Sequence, residues 1–214
     1  MSLSLFRTGQ SEKDRVEAFS DGVLAIVITL LVLEVKVPQH ITGGDVAIWN
    51  AIVERLPVIG AWVVSFVFVL VFWVAHHYLF ATLQKVDRGL LWLNGLFLLT
   101  ISFTPFPTAL AGEYPGATPA VFMLSLAMFL TAASFSLVRW YASFPGQLMN
   151  PNISRATRIA AMKKGLLSPA LYALGIIMSF LWTPGALIIQ VLVPMLFFLP
   201  GPMDITPGSG TKEH

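Results

Sequence analysis

Cysteine is absent from the 214-residue chain. Without a thiol there is no disulfide framework, no thiolate metal site and no cysteine nucleophile. Charge is scarce too: Asp, Glu, Lys and Arg make up 11% of the residues, against about a quarter in a soluble domain. So few charges fit a chain whose solvent is mostly lipid. A Walker loop, a dinucleotide fingerprint and a catalytic-triad pattern are all missing, so the chain reads as no enzyme and needs no cofactor. The net charge of +2 is too small to argue for a nucleic-acid partner. There is no internal repeat. The segment from Met1 to Asp14 is polar and mixed in charge, with no small-residue cleavage site after the first apolar run, and does not read as a cleaved signal peptide.

What is abundant is apolar surface: 56% of residues are hydrophobic and the mean hydropathy is +0.77. The runs predict an all-α membrane protein with six transmembrane helices, near residues 17–37, 56–83, 89–111, 119–142, 163–182 and 185–202, followed by a disordered Gly- and Pro-rich tail over 203–214. The first span is the weakest. Its uncharged core, Gly22 to Leu33, is too short to cross a hydrocarbon layer of ~30 Å at ~1.5 Å per residue. It spans only if Asp21 is held inside protein while Glu34 and Lys36 reach the interface. Thr183-Pro184-Gly185 breaks the last long run into a hairpin. Pro105, Pro107, Pro169 and Pro194 fall inside or beside spans, where neighbouring helices can re-satisfy the freed backbone groups.

Positive charge sets the orientation. With six spans and the N-terminus inside, Arg7, Lys13, Arg15, Lys85, Arg88, Arg139, Arg155, Arg158, Lys163, Lys164 and Lys212 share the inner side. Of the 13 Lys and Arg residues, Lys36 and Arg55 alone fall outside. The positive-inside rule then makes both termini cytoplasmic, in a multi-pass protein of the cell membrane. The run Arg155, Arg158, Lys163, Lys164 is a topology signal, with contact to anionic lipid as its alternative.

A few polar residues inside the spans point to a site. Asp21 falls about one turn into the first span, His77 about two turns before the inner end of the second, and Asn94 about one turn into the third. Ser20 adjoins Asp21, and Trp73 lies one turn from His77. Three helices thus offer polar groups at similar depth, as an interhelical hydrogen-bonded layer requires. Direct ion binding or proton sensing by His77 is the functional alternative. His76 and His77, adjacent on a helix, diverge by about 100°, so no structural metal site is expected. Asp21 and Ile26 lie about 140° apart on the wheel. Ile26, Leu30 and Leu33 form one apolar stripe with Thr29 beside it. Periodicity leaves open whether that stripe meets lipid, a neighbouring subunit or a pore axis.

The segment Arg15-x-x-x-Phe19-Ser20-Asp21, running into an apolar first span, resembles the signature of the transmembrane protein 175 family of potassium channels. Trp73-Val74-Ala75-His76-His77 and Asn94 are similar to the family's second and third spans, so the likeness covers nearly the whole chain. It implies a prokaryotic member with one six-span repeat per subunit, assembled as a homotetramer with the first helix of each subunit around a central pore. The family lacks the usual filter loop, and Thr-Val-Gly-Tyr-Gly is likewise absent here. The resemblance places the constriction on bulky apolar side chains of the first helix: Ile26, five positions after the motif Asp, then Thr29 or Leu30, then Leu33. K⁺ and other monovalent cations become the expected partners beside the lipid bilayer, with K⁺ only transient in the pore and passed with modest preference over Na⁺. Two rivals have their own signatures. A secondary or proton-coupled transporter would show matching inverted halves, and a membrane enzyme or scaffold would show polar clusters at an interface.

Overall fold

The computed structural model describes residues 3–39 and 41–197, with side chains described from residue 12. The expected end of the sixth span and the tail 203–214 lie outside the described residues. The described chain is helical: α1 Leu3–Leu31 with a 3-10 turn at Val32–Glu34, α2 Gly44–Glu54, α3 Leu56–Ala81, α4 Arg88–Ser102, α5 Pro105–Glu113, α6 Thr118–Ser143, α7 Arg155–Leu181 and α8 Thr183–Leu196.

Among the described residues, five segments are long and apolar enough to cross a membrane: Glu12–Glu34, Leu56–Ala81, Arg88–Glu113, Thr118–Ser143 and Arg155–Leu181. The described part of the sixth expected span is shorter. Helix α8 has 14 residues, roughly 21 Å at the α-helical rise, less than the ~30 Å of a hydrocarbon core. The third span is broken rather than continuous. Its helix stops at Ser102 and restarts at Pro105, because a proline nitrogen cannot bond back to the preceding turn. The carbonyl that Pro105 frees is re-used, since Ile101 O accepts from Thr104 N at 3.1 Å, and α5 is tied to α3 beyond the break by Thr108 Oγ1, 2.7 Å from Ser65 Oγ.

Helix α6 is the centre of the bundle. Its apolar window is 61% buried, against 22% for α1, so α6 is ringed by α4, α5, α7 and α8 while α1 lies at the margin against α3 and α4. Polar caps fix the helix ends. Asp87 caps α4 by accepting from Leu90 N at 2.8 Å, and its other oxygen accepts from Tyr141 Oη at 3.0 Å, tying α4 to α6. The α3–α4 and α6–α7 connections pair through Gln84 N to Leu148 O and Asn150 N to Thr82 O, each 2.9 Å. Lys13 Nζ donates to Leu83 O. The start of α1, the ends of α3 and α6 and the starts of α4 and α7 therefore share one end, which gathers Lys13, Lys85, Arg88, Arg155 and Arg158. Arg158 is more than a topology signal, since its guanidinium donates to Ile153 O, Ser143 O and Asn150 O at 3.1–3.2 Å and holds the α6–α7 loop.

At the other end, Arg55 at the α2–α3 corner makes an ion pair with Glu113 at the end of α5. Helix α2 has no counterpart in the sequence reading, whose spans leave residues 38–55 without an element. Gly43 and Gly44, at φ 124° and 71°, make the left-handed turn into it, a region open to glycine at little steric cost. Val46, Trp49 and Val53 on α2 are exposed.

Candidate pore helix and its polar anchor

The membrane-spanning part of α1 has two faces, set by helical spacing. Ser20, Leu24, Val27 and Leu31 are buried at i, i+4, i+7 and i+11. Arg15, Phe19, Gly22, Ile26, Thr29, Leu30 and Leu33 are exposed on the other side. The exposure is large: Phe19 66%, Ile26 58%, Leu30 43% and Leu33 66%. The motif is thereby split. Arg15 and Phe19 stand on the open face in line with Ile26 and Leu33, while Ser20 and Asp21 turn toward α3 and α4. Thr29 adds little polarity to the open face, since its hydroxyl donor is directed at its own helix, 3.0 Å from Ala25 O and 2.9 Å from Ile26 O.

The buried face is anchored by a three-helix hydrogen-bonded chain. Ser20 Oγ donates to Val16 O at 2.9 Å and accepts from Asn94 Nδ2 at 2.9 Å. Asn94 Oδ1 lies 3.0 Å from His76 Nε2. A carbonyl oxygen only accepts, so the proton of His76 is assigned to Nε2 from the network. The ring stacks on Phe80 at 4.2 Å and Phe97 at 5.9 Å between centroids. Ser20, His76 and Asn94 are all buried. The chain supplies partners of the kind that polar groups between membrane helices need, while His76 Nδ1 stays buried without one.

The expected histidine is therefore corrected. His77 does not join Asn94; it lies on the exposed side of α3, with Nδ1 3.2 Å from Glu17 Oε1 on α1 and its ring stacked on Trp73 at 6.3 Å. His76 takes the buried place because the i, i+4 series Phe68, Phe72, His76, Phe80 faces the core. That aromatic series was readable. It was obscured because α3 is apolar on all sides, leaving no polar face from which to find the inner one. Trp73 Nε1 donates to Asp21 Oδ1 at 3.0 Å, so Asp21 is held by α3 at the rim of the layer, half-buried, rather than within it. Glu17 was missed, since nothing in its spacing marks it as a partner of His77. Among the described residues no group of three or more His, Asp or Glu is placed to hold a metal ion.

Taken together these features define a polytopic helical membrane protein whose first helix is bolted to α3 and α4 on one side and left open along an apolar stripe on the other. Residues 15–105 match the family model described as "Endosomal/lysosomal potassium channel TMEM175". A curated potassium channel of Streptomyces collinus is 40% identical over 157 residues, covering 70% of this chain and 75% of that one. One of Chamaesiphon minutus is 38% identical over 175 residues, covering 80% and 86%. The crystal structure of a lysosomal potassium-selective channel TMEM175 homolog from Chamaesiphon minutus superposes with a TM-score of 0.79 at 34% identity, covering 88% of this chain and 97% of that one. The human endosomal/lysosomal proton channel TMEM175 is 28% identical over 189 residues, which cover 85% of this chain but 37% of the human one. The chain belongs to the TMEM175 family, a family of multi-pass membrane ion channels and not of enzymes.

Proposed function

We propose that the protein is a potassium-permeable channel of the cell membrane, a homotetramer of six-span subunits with both termini cytoplasmic, whose pore is lined by α1. The observation that carries this reading is the open stripe of α1, Ile26, Thr29, Leu30 and Leu33, on the least buried of the long helices. Fourfold symmetry about that stripe turns each residue into a ring. Ile26 then forms a narrow apolar ring, with Thr29 and Leu30 the next layer and Leu33 the layer beyond. Such rings select by the cost of carrying a hydration shell through them and gate by dewetting. K⁺ holds its water less tightly than Na⁺ and loses less, so the preference is modest. The basic end of the bundle supports the inside orientation. The names of the curated bacterial relatives support K⁺ as the ion, and those of the animal relatives favour protons as a second permeant.

The test is flux of K⁺, Na⁺ and H⁺ into liposomes at equal protein density. Ile26→Ala and Ile26→Asn are expected to raise cation flux and erode the K⁺ over Na⁺ preference while the oligomer persists. Leu33→Ala should raise flux with a smaller change in preference. Substitutions on the buried face, such as Val27→Ala, should alter stability more than selectivity. Wild-type selectivity in both Ile26 variants sinks the assignment of the constriction to α1.

A further inference from the structure

Helix α2 stands apart from the bundle. It joins the ends of two spans, separated from Glu34 by residues 35–43 and from Leu56 by Arg55 alone. This is the end of the molecule away from Lys13, Lys85 and Arg158. Arg55 pairs with Glu113 there, and exposed charges of that kind belong at a membrane boundary rather than within it. Pro57 makes the corner, because its ring nitrogen cannot donate to Val53 O, and α2 stops at Glu54. None of the 11 residues of α2 is buried. A helix shorter than about 12 residues is marginal in water without support, and the β-branched Val46, Ile48, Ile52 and Val53 lower its propensity further. Packing within the subunit supports α2 only weakly, and an outside surface has to complete it.

The spacing tells which surface. At about 100° per residue, Ile48, Ile52, Trp49, Val53 and Val46 fill an arc of about 160°, with Asn50 and Glu54 beside it. All five apolar side chains are exposed, most of all Val46 at 72%, Trp49 at 67% and Val53 at 58%. Asp45 falls inside the arc but in the first turn, where a carboxylate meets the positive end of the helix dipole. The helix has no Lys or Arg, so apolar insertion rather than attraction to acidic headgroups has to seat it. We infer that α2 lies in the interfacial zone of the bilayer, with Val46, Trp49 and Val53 among the upper acyl chains and Asn50 and Glu54 in the headgroup layer. A wide apolar face edged by polar residues is the pattern of an interfacial helix, and an indole favours that depth. A second copy of the chain is the poorer match, since Val46, Trp49 and Val53 together offer on the order of 400 Å², about half of the ~800 Å² per partner that a stable protein interface buries. Because α2 follows α1 in the chain, the seat holds that end of α1 to the bilayer. The inference needs only the membrane location of the chain and is independent of which ion permeates.

The absence of cysteine from the chain makes the test direct, because a single introduced cysteine carries a nitroxide label in otherwise native protein. The full chain is reconstituted in phosphatidylcholine liposomes, and spin-label relaxation is compared with oxygen, which partitions into lipid, and with a water-soluble nickel chelate present on both sides. Labels at Val46→Cys, Trp49→Cys and Val53→Cys should relax at least about threefold more with oxygen than with nickel, and labels at Asn50→Cys and Glu54→Cys the reverse. Ile52→Cys lies on the same arc and leaves Trp49 in place, so it reports the seat even if Trp49→Cys loosens it. Adding Trp49→Ser to Ile52→Cys should lower its oxygen-to-nickel ratio about threefold, whereas Asn50→Ser should change it less than about 1.5-fold. Equal nickel access at every position would mean that α2 stands in water, and overturns the proposal. So does shielding of the Val46, Trp49 and Val53 labels from both reagents, or dipolar broadening between labels, since either means that protein covers the face.

Discussion

The Ser20–Asn94–His76 chain concentrates three buried polar side chains where three helices meet. Asn94 serves both neighbours, so Asn94→Ala leaves the Ser20 hydroxyl and His76 Nε2 without their partner. The expected cost is on the order of 1–3 kcal/mol, read as a lower midpoint of thermal unfolding in detergent with selectivity little changed. His77→Ala removes only an exposed pair with Glu17 and should cost less than about 1 kcal/mol. Equal destabilisation by the two variants would contradict the buried role of His76. The sequence marked Ser20 and Asn94 for this layer but named the wrong one of two adjacent histidines. Neighbouring helical residues face directions about 100° apart, and only packing tells which of them points inward.

At the scale of elements, the apolar runs announced most of the long helices, because lipid requires continuous stretches with every backbone group bonded internally. The breaks between α4 and α5 were less legible. Prolines at 105 and 107 warned of one, but the Thr108–Ser65 hydroxyl pair that ties α5 to α3 beside it joins residues 43 apart in sequence. The α3–α5 contact shows how closely such pieces approach. A Cβ on Gly112 would lie 2.8 Å from Val58 Cα, so Gly112→Ala must push backbone aside and is expected to cost about 1–3 kcal/mol, as overpacking does. Gly95→Ala, where a Cβ meets nothing within 4 Å, should be neutral or stabilising by up to about 1 kcal/mol from helix propensity. Thermal unfolding of the two variants side by side checks the pair; an unaltered Gly112→Ala midpoint would show that α5 is not seated on α3 as described.

For the whole molecule, the proposed function turns on how many copies assemble. One subunit offers a single α1 with one open stripe, and a ring of such stripes needs several copies, so the purified protein in detergent or nanodiscs should weigh four chains of 23.4 kDa by native mass spectrometry. A monomer that conducts when reconstituted would refute the arrangement. By itself the sequence determined the membrane habit, the family likeness, and the two faces of the first helix. Each of these depends on composition or on spacing along one helix, which local order contains in full. Tertiary structure alone decided that His76 rather than His77 meets Asn94, that Trp73 holds Asp21, and that residues 44–54 form a helix. Those outcomes depend on which faces of separate helices meet. In a chain apolar on nearly every face, hydrophobic pattern cannot choose among them, and close packing with hydrogen-bond satisfaction does.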